Sequence, residues 1–290
     1  MLCSQCPRRC GALRTDQSGG GRCRMPVLPV VARAALHHWE EPCLSGDRGA
    51  GTVFFSGCAL GCVFCQNNSI SQEGFGRPIS PDRLRSIFYE LIYQGAHNLD
   101  LVSPTHFTHV LAQVLDESFP VPVIWNSGGY DSVDALRALE GKVDVYLPDL
   151  KYLFSQRAAR YSDAADYPQA AQAAIREMFR QVGPPVLEDG LLKRGVLIRH
   201  LILPGGLAEA KAVMDWVAET FPDGQVLFSL MSQYLPLGRA ADYPELNRAL
   251  RRSEARTAAD YMAALGLEGY AQDPSAADSV YVPSFDLTGV

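Results

Sequence analysis

Three cysteines in the stretch CALGCVFC have the types and spacing of a metal centre. Cys58, Cys62 and Cys65 follow the pattern C-x3-C-x2-C, and Gly57 and Gly61 allow the backbone to wrap closely around a bound group. Three thiolates leave one iron of a [4Fe–4S] cluster open to a further ligand, as in catalytic metal sites. The alternatives are zinc or plain burial, but zinc prefers four ligands in paired C-x2-C knuckles. The spacing therefore favours an iron–sulfur cluster with one open iron.

A second group of cysteines opens the chain. Cys3, Cys6, Cys10 and Cys23 have the spacing C-x2-C-x3-C-x12-C. The segment has few apolar residues, and four thiolates can fold it around one metal centre. Zinc would suit a structural role, whereas a second [4Fe–4S] cluster would suit electron relay or substrate ligation. We favour the cluster and keep zinc as the alternative. Cys43 either replaces one of these ligands, binds from the following domain, or is buried.

Composition narrows the class of protein. The 290 residues are 47% hydrophobic, enough for one large core. A formal net charge of −6 is not the basic footprint of a nucleic-acid binder, so nucleic acid is not an expected partner. No run approaches the roughly 18 apolar residues of a membrane span, and the amino terminus has no apolar signal segment. We expect a cytoplasmic protein without a membrane partner. In that reducing compartment, eight cysteines all before residue 66 indicate metal binding or chemistry.

The elements that must position these groups alternate between strands and helices. Short apolar runs predict six strands, at 52–56, 98–102, 121–125, 143–147, 196–202 and 225–230. Apolar periodicity predicts helices at 80–94, 106–118, 131–140, 164–182, 207–220 and 244–265. Asp189-Gly190 predicts a small hairpin before the fifth strand. Six such units predict an α/β fold, a partial (β/α)6 TIM-like barrel at 51–290, preceded by a cysteine-rich extension at 1–50.

In such a barrel, functional groups collect in the loops after the carboxyl ends of the strands. The first of these loops holds the three cysteines, and later loops hold polar candidates: Ser103, Pro104 and Thr105; Asn126 and Ser127; Asp149 and Lys151. Arg199 and His200 lie near the end of the fifth strand. Simpler roles are also open, because Asn126 and Ser127 lie in a turn-like Asn-Ser-Gly-Gly stretch, and Asp149 and Lys151 can form a surface ion pair.

The cysteine motif resembles that of the radical S-adenosylmethionine superfamily. CALGCVFC has the same form, with the aromatic Phe64 just before the last cysteine, and it follows the first strand of the barrel pattern. The resemblance implies that S-adenosylmethionine binds the open iron through its amino and carboxylate groups. One electron from the cluster then yields a 5′-deoxyadenosyl radical that abstracts hydrogen from the substrate. It also implies a low-potential electron donor, such as a flavodoxin or a ferredoxin-like protein.

Longer phrases are similar to the pyruvate formate-lyase activating enzyme group, particularly relatives with an N-terminal cysteine motif: EEPCLSGDRGAGTVFFSGC, LVSPTH, VDVYLPDLKY, RHLILPGG and SLMSQYLP. This resemblance implies where the cofactor binds. Ser103-Pro104-Thr105 stand where activases carry a Gly-Gly-Glu-like stretch that meets the amino group, and Asn126-Ser127 resemble the segment that meets the ribose. Asp149 and Lys151 match an Asp-x-Lys phrase near the methionyl part. The implied cofactor-binding set is Phe64, Ser103, Pro104, Thr105, Asn126, Ser127, Asp149, Lys151 and Arg199.

The substrate is open between a glycyl-radical protein, as for an activase, and a peptide or small metabolite. Arginines interleave with the first four cysteines, where they offset the charge of a metal–thiolate centre or dock an acidic electron donor: Arg8, Arg9, Arg14, Arg22 and Arg24. The rival hypothesis is a non-catalytic iron–sulfur or zinc-binding scaffold protein, which would hold metal without affinity for S-adenosylmethionine.

Overall fold

A mixed sheet forms the centre of the molecule in the computed structural model, which describes residues 3–272 and 283–290. Within those residues the strands are β1 Val30–His37, β2 Ala50–Phe55, β3 Arg77–Pro78, β4 Leu99–Val102, β5 Val123–Ser127, β6 Val145–Pro148, β7 Val186–Glu188, β8 Leu191–Leu201, β9 Leu227–Met231 and β10 Gly269–Ala271. Their order is β10-β9-β8-β6-β5-β4-β2-β1-β3, and β7 pairs with β8. The run from β2 to β10 is parallel. The sheet is open, so the predicted partial barrel is confirmed.

Helices follow the parallel strands and cover the sheet. Their bounds are α1 Pro42–Ser45, α2 Asn68–Ser71, α3 Pro81–Tyr93, α4 Thr108–Val114, α5 Val133–Arg137, α6 Ser155–Ser162, α7 Tyr167–Val182, α8 Leu207–Thr220 and α9 Arg252–Ala264. In α3, the Ser80 side chain caps the helix by accepting a hydrogen bond from the amide of Arg83, and one face buries Leu84, Ile87, Phe88 and Leu91. The hairpin at Asp189-Gly190 is confirmed as the turn between β7 and β8.

Three helix predictions needed correction. The helix predicted at 244–265 begins at Arg252, because the Glu245 carboxylate binds Arg160 and Tyr161 of α6 instead of capping a helix. The predicted helix at 131–140 is limited to Val133–Arg137, and 106–118 is split into a short 3₁₀ turn followed by α4. Helix α6 was not predicted.

The chain joins the sheet earlier than the sequence suggested. Strand β1, at residues 30–37, lies antiparallel to β2, although no element was expected before residue 52. Helix α1 packs near the first residues of β5, β6 and β9, where Cys43 is buried among apolar side chains: Leu44, Ile124, Val145, Leu147, Leu192, Leu197 and Leu227. The division into domains at residue 50 stays a prediction.

None of the helices in the described ranges combines the length and the apolar character needed to cross a membrane.

Candidate functional site

The three-cysteine loop follows β2 and is fastened to helix α6. The amides of Gly61 and Val63 donate to the carbonyl oxygens of Ser162 and Tyr161, at 3.1 and 2.9 Å. From the other side, the amide of Arg239 donates to the carbonyl of Val63 at 2.6 Å. The loop backbone is therefore held by segments that follow β6 and β9, and its path is set by the barrel rather than by the loop sequence alone.

Each sulfur of the loop has a hydrogen-bonding neighbour. The amide of Leu60 donates to Cys58 Sγ at 3.3 Å. Cys62 Sγ lies 2.9 Å from Ser162 Oγ, and Cys65 Sγ lies 3.3 Å from Ser71 Oγ. In the thiol form, burial raises the pKa of Cys58 to about 12, and the neighbouring sulfurs of the loop add to the shift. The structure thus brings the three predicted ligands together, where a bound metal would favour their thiolate forms.

Close packing requires the first glycine of the loop. Gly57 has φ of +82°, and a Cβ on it would collide with the Met25 side chain and the carbonyl oxygen of Cys23, whereas a Cβ on Gly61 would meet only the mobile end of the Arg22 side chain. In residues 3–272 and 283–290, no group of three or more His, Cys, Asp or Glu side chains surrounds a single-ion position. The cysteines of a [4Fe–4S] cluster bind separate irons and need not converge on one point. Three thiol ligands with a donor at each sulfur fit such a cluster.

The first four cysteines form a second group. Burial raises the pKa of Cys6 to about 12, and the shift is increased by nearby Cys23, Cys3 and Cys10. Cys3 and Cys6 are buried, whereas Cys10 is exposed. Their shared metal stays a prediction.

Cys43 packs at the amino ends of the strands and contacts Tyr270, and burial raises its pKa to about 11. Of the three roles left open for Cys43, the structure shows burial.

A cavity lies beside the cysteine loop. It is lined by Cys58, Ala59, Leu60, Ser103, Thr105, His106, Gly128 and Tyr130. Ser103 has φ of +58°, in the left-handed region that favours glycine, and its amide donates to the carbonyl of Asn126 at 2.8 Å. A serine therefore holds a backbone conformation that glycine adopts more easily. Pro104 follows it and opens the 3₁₀ turn.

Asp131 connects the loops after β4 and β5. Its carboxylate accepts hydrogen bonds from Thr105 Oγ1 at 2.7 Å, from Ser127 Oγ and from Trp125 Nε1 at 3.1 Å. Burial raises the pKa of Asp131. Thr105 and Ser127 belong to the segments predicted to bind the cofactor, and their hydroxyls are bound to this carboxylate. The sequence analysis missed Asp131 as a site residue, because Thr105 reaches it from 26 positions away only in the folded protein.

A network of charged side chains is buried inside the protein. Arg199 donates to Asp149 at 3.0 Å, to Glu40 at 3.1 Å and to Asn126 at 2.6 Å. Lys151 Nζ donates to the other oxygen of Asp149 at 2.5 Å. The exposed fractions of the Asp149 and Lys151 side chains are 15% and 19%, so the pair is not a surface ion pair. Burial acts to raise the pKa of Asp149, but the two cations outweigh it and hold the pKa below its ordinary value.

Three more carboxyl groups are buried inside the protein, and the sequence analysis missed all of them. Glu40 and Glu41 follow β1, and Asp100 accepts hydrogen bonds from Thr52 and Asn126 at 3.3 and 3.4 Å. Burial raises the pKa of each. One oxygen of Glu41 and one of Asp100 have no hydrogen-bond partner among the described residues. An aspartate inside the apolar run NLDLV was the available signal for Asp100.

Two remaining candidates face the protein interior. Phe64 is buried and packs against Tyr234, with ring centroids 6.1 Å apart. His200 Nδ1 lies 2.7 Å from the carbonyl of Leu150, and burial lowers its pKa to about 4, so the ring is neutral. The cofactor-binding roles of all these residues stay predictions.

The architecture is an open (β/α)6 barrel whose first parallel strand leads into a three-cysteine loop, and two solved structures share the fold. Streptococcus suis SuiB bound to precursor peptide SuiA has a TM-score of 0.51 at 10% identity, over 75% of this chain and 47% of SuiB. A mutant of spore photoproduct lyase has a TM-score of 0.51 at 12% identity, over 78% of this chain and 77% of that protein. This chain thus spans about half the length of SuiB.

Sequence comparison adds one relative. An uncharacterized protein of Methanocaldococcus jannaschii is 29% identical over 262 residues, which cover 87% of this chain and 71% of that protein. No protein-family model matches the chain.

Proposed function

We propose that this protein is a radical S-adenosylmethionine enzyme that abstracts hydrogen from its substrate. The observation that carries the proposal is the three-cysteine loop at the carboxyl end of the first parallel strand, with a hydrogen-bond donor at each sulfur and a buried Asp–Lys pair nearby. SuiB and spore photoproduct lyase share the open barrel that the proposal requires.

The residues of the chain have distinct roles in this proposal. Cys58, Cys62 and Cys65 hold the cluster, which when bound supplies one electron to the sulfonium of S-adenosylmethionine. Lys151 offers a cation for the carboxylate of the cofactor, because Asp149 and Cys62 raise the pKa of its ammonium group against the effect of burial. Asn126, held by Arg199, offers a polar contact at the end of β5. The cavity walls would shield the reacting groups from water and oxygen.

The proposal also covers the substrate class, the electron donor and the location of the protein. The substrate is a protein, a peptide or a small molecule, and activation of a glycyl-radical enzyme is one form of the reaction. The complex of SuiB with its precursor peptide makes peptides a class to test. The electron comes from a low-potential donor of the flavodoxin or ferredoxin type, and exposed arginines of the N-terminal segment, such as Arg9, offer a docking surface for an acidic protein. We place the enzyme in the cytoplasm.

The second group of cysteines, Cys3, Cys6, Cys10 and Cys23, is proposed to hold another [4Fe–4S] cluster, with zinc as the alternative. The mutual influence of these four sulfurs supports a shared centre. Iron and zinc analysis of anaerobically purified protein distinguishes the two.

Cofactor cleavage tests the function directly. Anaerobically reconstituted protein with dithionite should convert S-adenosylmethionine to 5′-deoxyadenosine, and Cys58→Ala should abolish the product. Cys43→Ala is the matched control, because it removes a buried cysteine that lies outside the loop. An intact cofactor after long incubation with a reduced cluster would contradict the proposal. Tight binding of S-adenosylmethionine in an equilibrium titration would exclude the scaffold alternative.

A further inference from the structure

Two buried hydroxyl groups form a chain of hydrogen bonds that ends at one cysteine of the loop. Ser162 is the last residue of α6, and its Oγ lies 2.9 Å from Cys62 Sγ and 2.9 Å from the hydroxyl of Tyr152. Both Ser162 and Tyr152 are fully buried. The position is fixed by the backbone, because the carbonyl of Ser162 accepts the hydrogen bond from the amide of Gly61 inside the loop.

The chemistry of the three groups sets the direction of these bonds. A thiolate can only accept, so with a metal bound at Cys62 the single proton of the Ser162 hydroxyl points to sulfur. The serine oxygen then accepts from the Tyr152 hydroxyl. Hydrogen bonds in such a chain polarise one another, so the tyrosine strengthens the bond from serine to sulfur. The loop therefore places an oriented pair of dipoles at one ligand of the cluster.

We propose that Ser162 and Tyr152 form a two-hydroxyl relay that raises the reduction potential of the cluster held by Cys58, Cys62 and Cys65. The inference rests on the proposed function. An external low-potential donor adds one electron to the cluster, and the added negative charge falls partly on the sulfur ligands. Donors at a sulfur stabilise the reduced form more than the oxidised form, and hydrogen bonds to sulfur are an established control of cluster potential.

The relay acts on the sulfur with the shortest contact. Cys62 Sγ has a hydroxyl at 2.9 Å, whereas the donors at Cys58 and Cys65 are each at 3.3 Å. Lys151 also acts on Cys62 electrostatically. Removal of the Ser162 hydroxyl should therefore change the potential more than removal of the Ser71 hydroxyl at Cys65.

A redox titration of the reconstituted holoprotein, followed by electron paramagnetic resonance, measures the effect. Ser162→Ala should lower the ratio of reduced to oxidised cluster at a fixed potential by about three- to tenfold, which is a midpoint more negative by about 30–60 mV at 59 mV per tenfold. Tyr152→Phe should shift the midpoint less, in the same direction. Ser162→Thr keeps a hydroxyl and should restore the potential. Ser155→Ala, which removes a hydroxyl from the first turn of the same helix, is the control.

The outcomes separate the relay from the function. A Ser162→Ala midpoint equal to the wild-type value, at full iron content, would overturn the relay and leave the enzyme class standing. Equal shifts for Ser162→Thr and Ser162→Ala would assign the effect to packing and would also overturn it. If Ser162→Ala does not retain the cluster, the Tyr152→Phe midpoint decides the question. Wild-type protein that binds no cluster at the three cysteines would overturn both proposals.

Discussion

Arg199 is the structural centre of the buried charges, and its replacement by methionine tests that network. The arginine pairs with Asp149 and Glu40, and its side chain is 14% exposed. Breaking a buried pair by removing one partner typically costs about 3–5 kcal/mol, because a charge stays buried without compensation. Asp149 keeps Lys151 as a partner, while Glu40 loses its ion pair with Arg199. We therefore expect Arg199→Met to lower the free energy of unfolding by ~3 kcal/mol, at the lower end of that range.

Urea unfolding under anaerobic conditions, followed by circular dichroism, measures the loss. The double variant Arg199→Met/Glu40→Gln should recover ~1–2 kcal/mol, because it removes the carboxylate that the single change leaves unpaired. Arg180→Met is the matched control. Arg180 makes comparably close ion pairs with Glu140 and Glu177, but its side chain is 50% exposed, so the loss should be much smaller than that of Arg199→Met.

Two results would refute this reasoning. An Arg199→Met loss as small as that of the surface control would mean that solvent reaches the network. Strictly additive effects in the double variant would mean that Glu40 and Arg199 do not stabilise each other.

Three further predictions follow from single groups. Burial lowers the pKa of His200 to about 4, whereas a histidine in the unfolded chain titrates near 6.5. The contribution of neutral His200 to the free energy of unfolding is therefore fully present above pH 6.5 and should fall by up to ~3 kcal/mol as the pH drops towards 4. His200→Gln should flatten this slope when melting temperature is measured against pH. Ser103→Gly relieves the left-handed backbone and should raise the free energy of unfolding by about 0.5–1 kcal/mol in urea, whereas Ser103→Val should lower it. Asp131→Ala leaves three buried donors unpaired and should cost ~2–4 kcal/mol in the same assay, with Asp131→Asn less harmful because its amide oxygen still accepts.

Much of the barrel is predictable from the sequence, because its strands are short, apolar and covered on both faces. All six predicted strands exist, and α8 matches its predicted bounds of 207–220. Errors arise where a tertiary contact overrides a local signal. Asp242, Pro244 and Glu245 have the form of a helix start, but Glu245 is taken up by α6 and the helix begins eight residues later than predicted.

The site is only partly predictable, for a related reason. The cysteine spacing is local, so the three-cysteine loop can be recognised without the fold. Asp131 binds Thr105 from 26 positions away, and neighbouring strands must pair before Thr52 and Asp100 lie side by side. Glu40 meets Arg199 across 159 positions of the chain. No local pattern in the sequence indicates such pairs.

The N-terminal segment belongs to the same site as the three-cysteine loop. Arg8 donates to the carbonyl of Ala59 at 2.9 Å and lies over the ring of Tyr130, and both of those residues line the cavity. Arg14, buried beside Cys3, donates to the carbonyl of His106 at 2.6 Å. The N-terminal segment therefore packs against the cavity wall through Arg8 and Arg14.

The buried charges also bear on the scaffold alternative. Carboxyl groups inside a core cost stability unless they are paired, and Glu41 and Asp100 each leave an oxygen without a hydrogen-bond partner among the described residues. A protein that only stores a cluster gains nothing from such buried groups. A site that received a charged cofactor, as proposed above, would need buried polar groups, and this supports the proposed enzyme over the scaffold alternative.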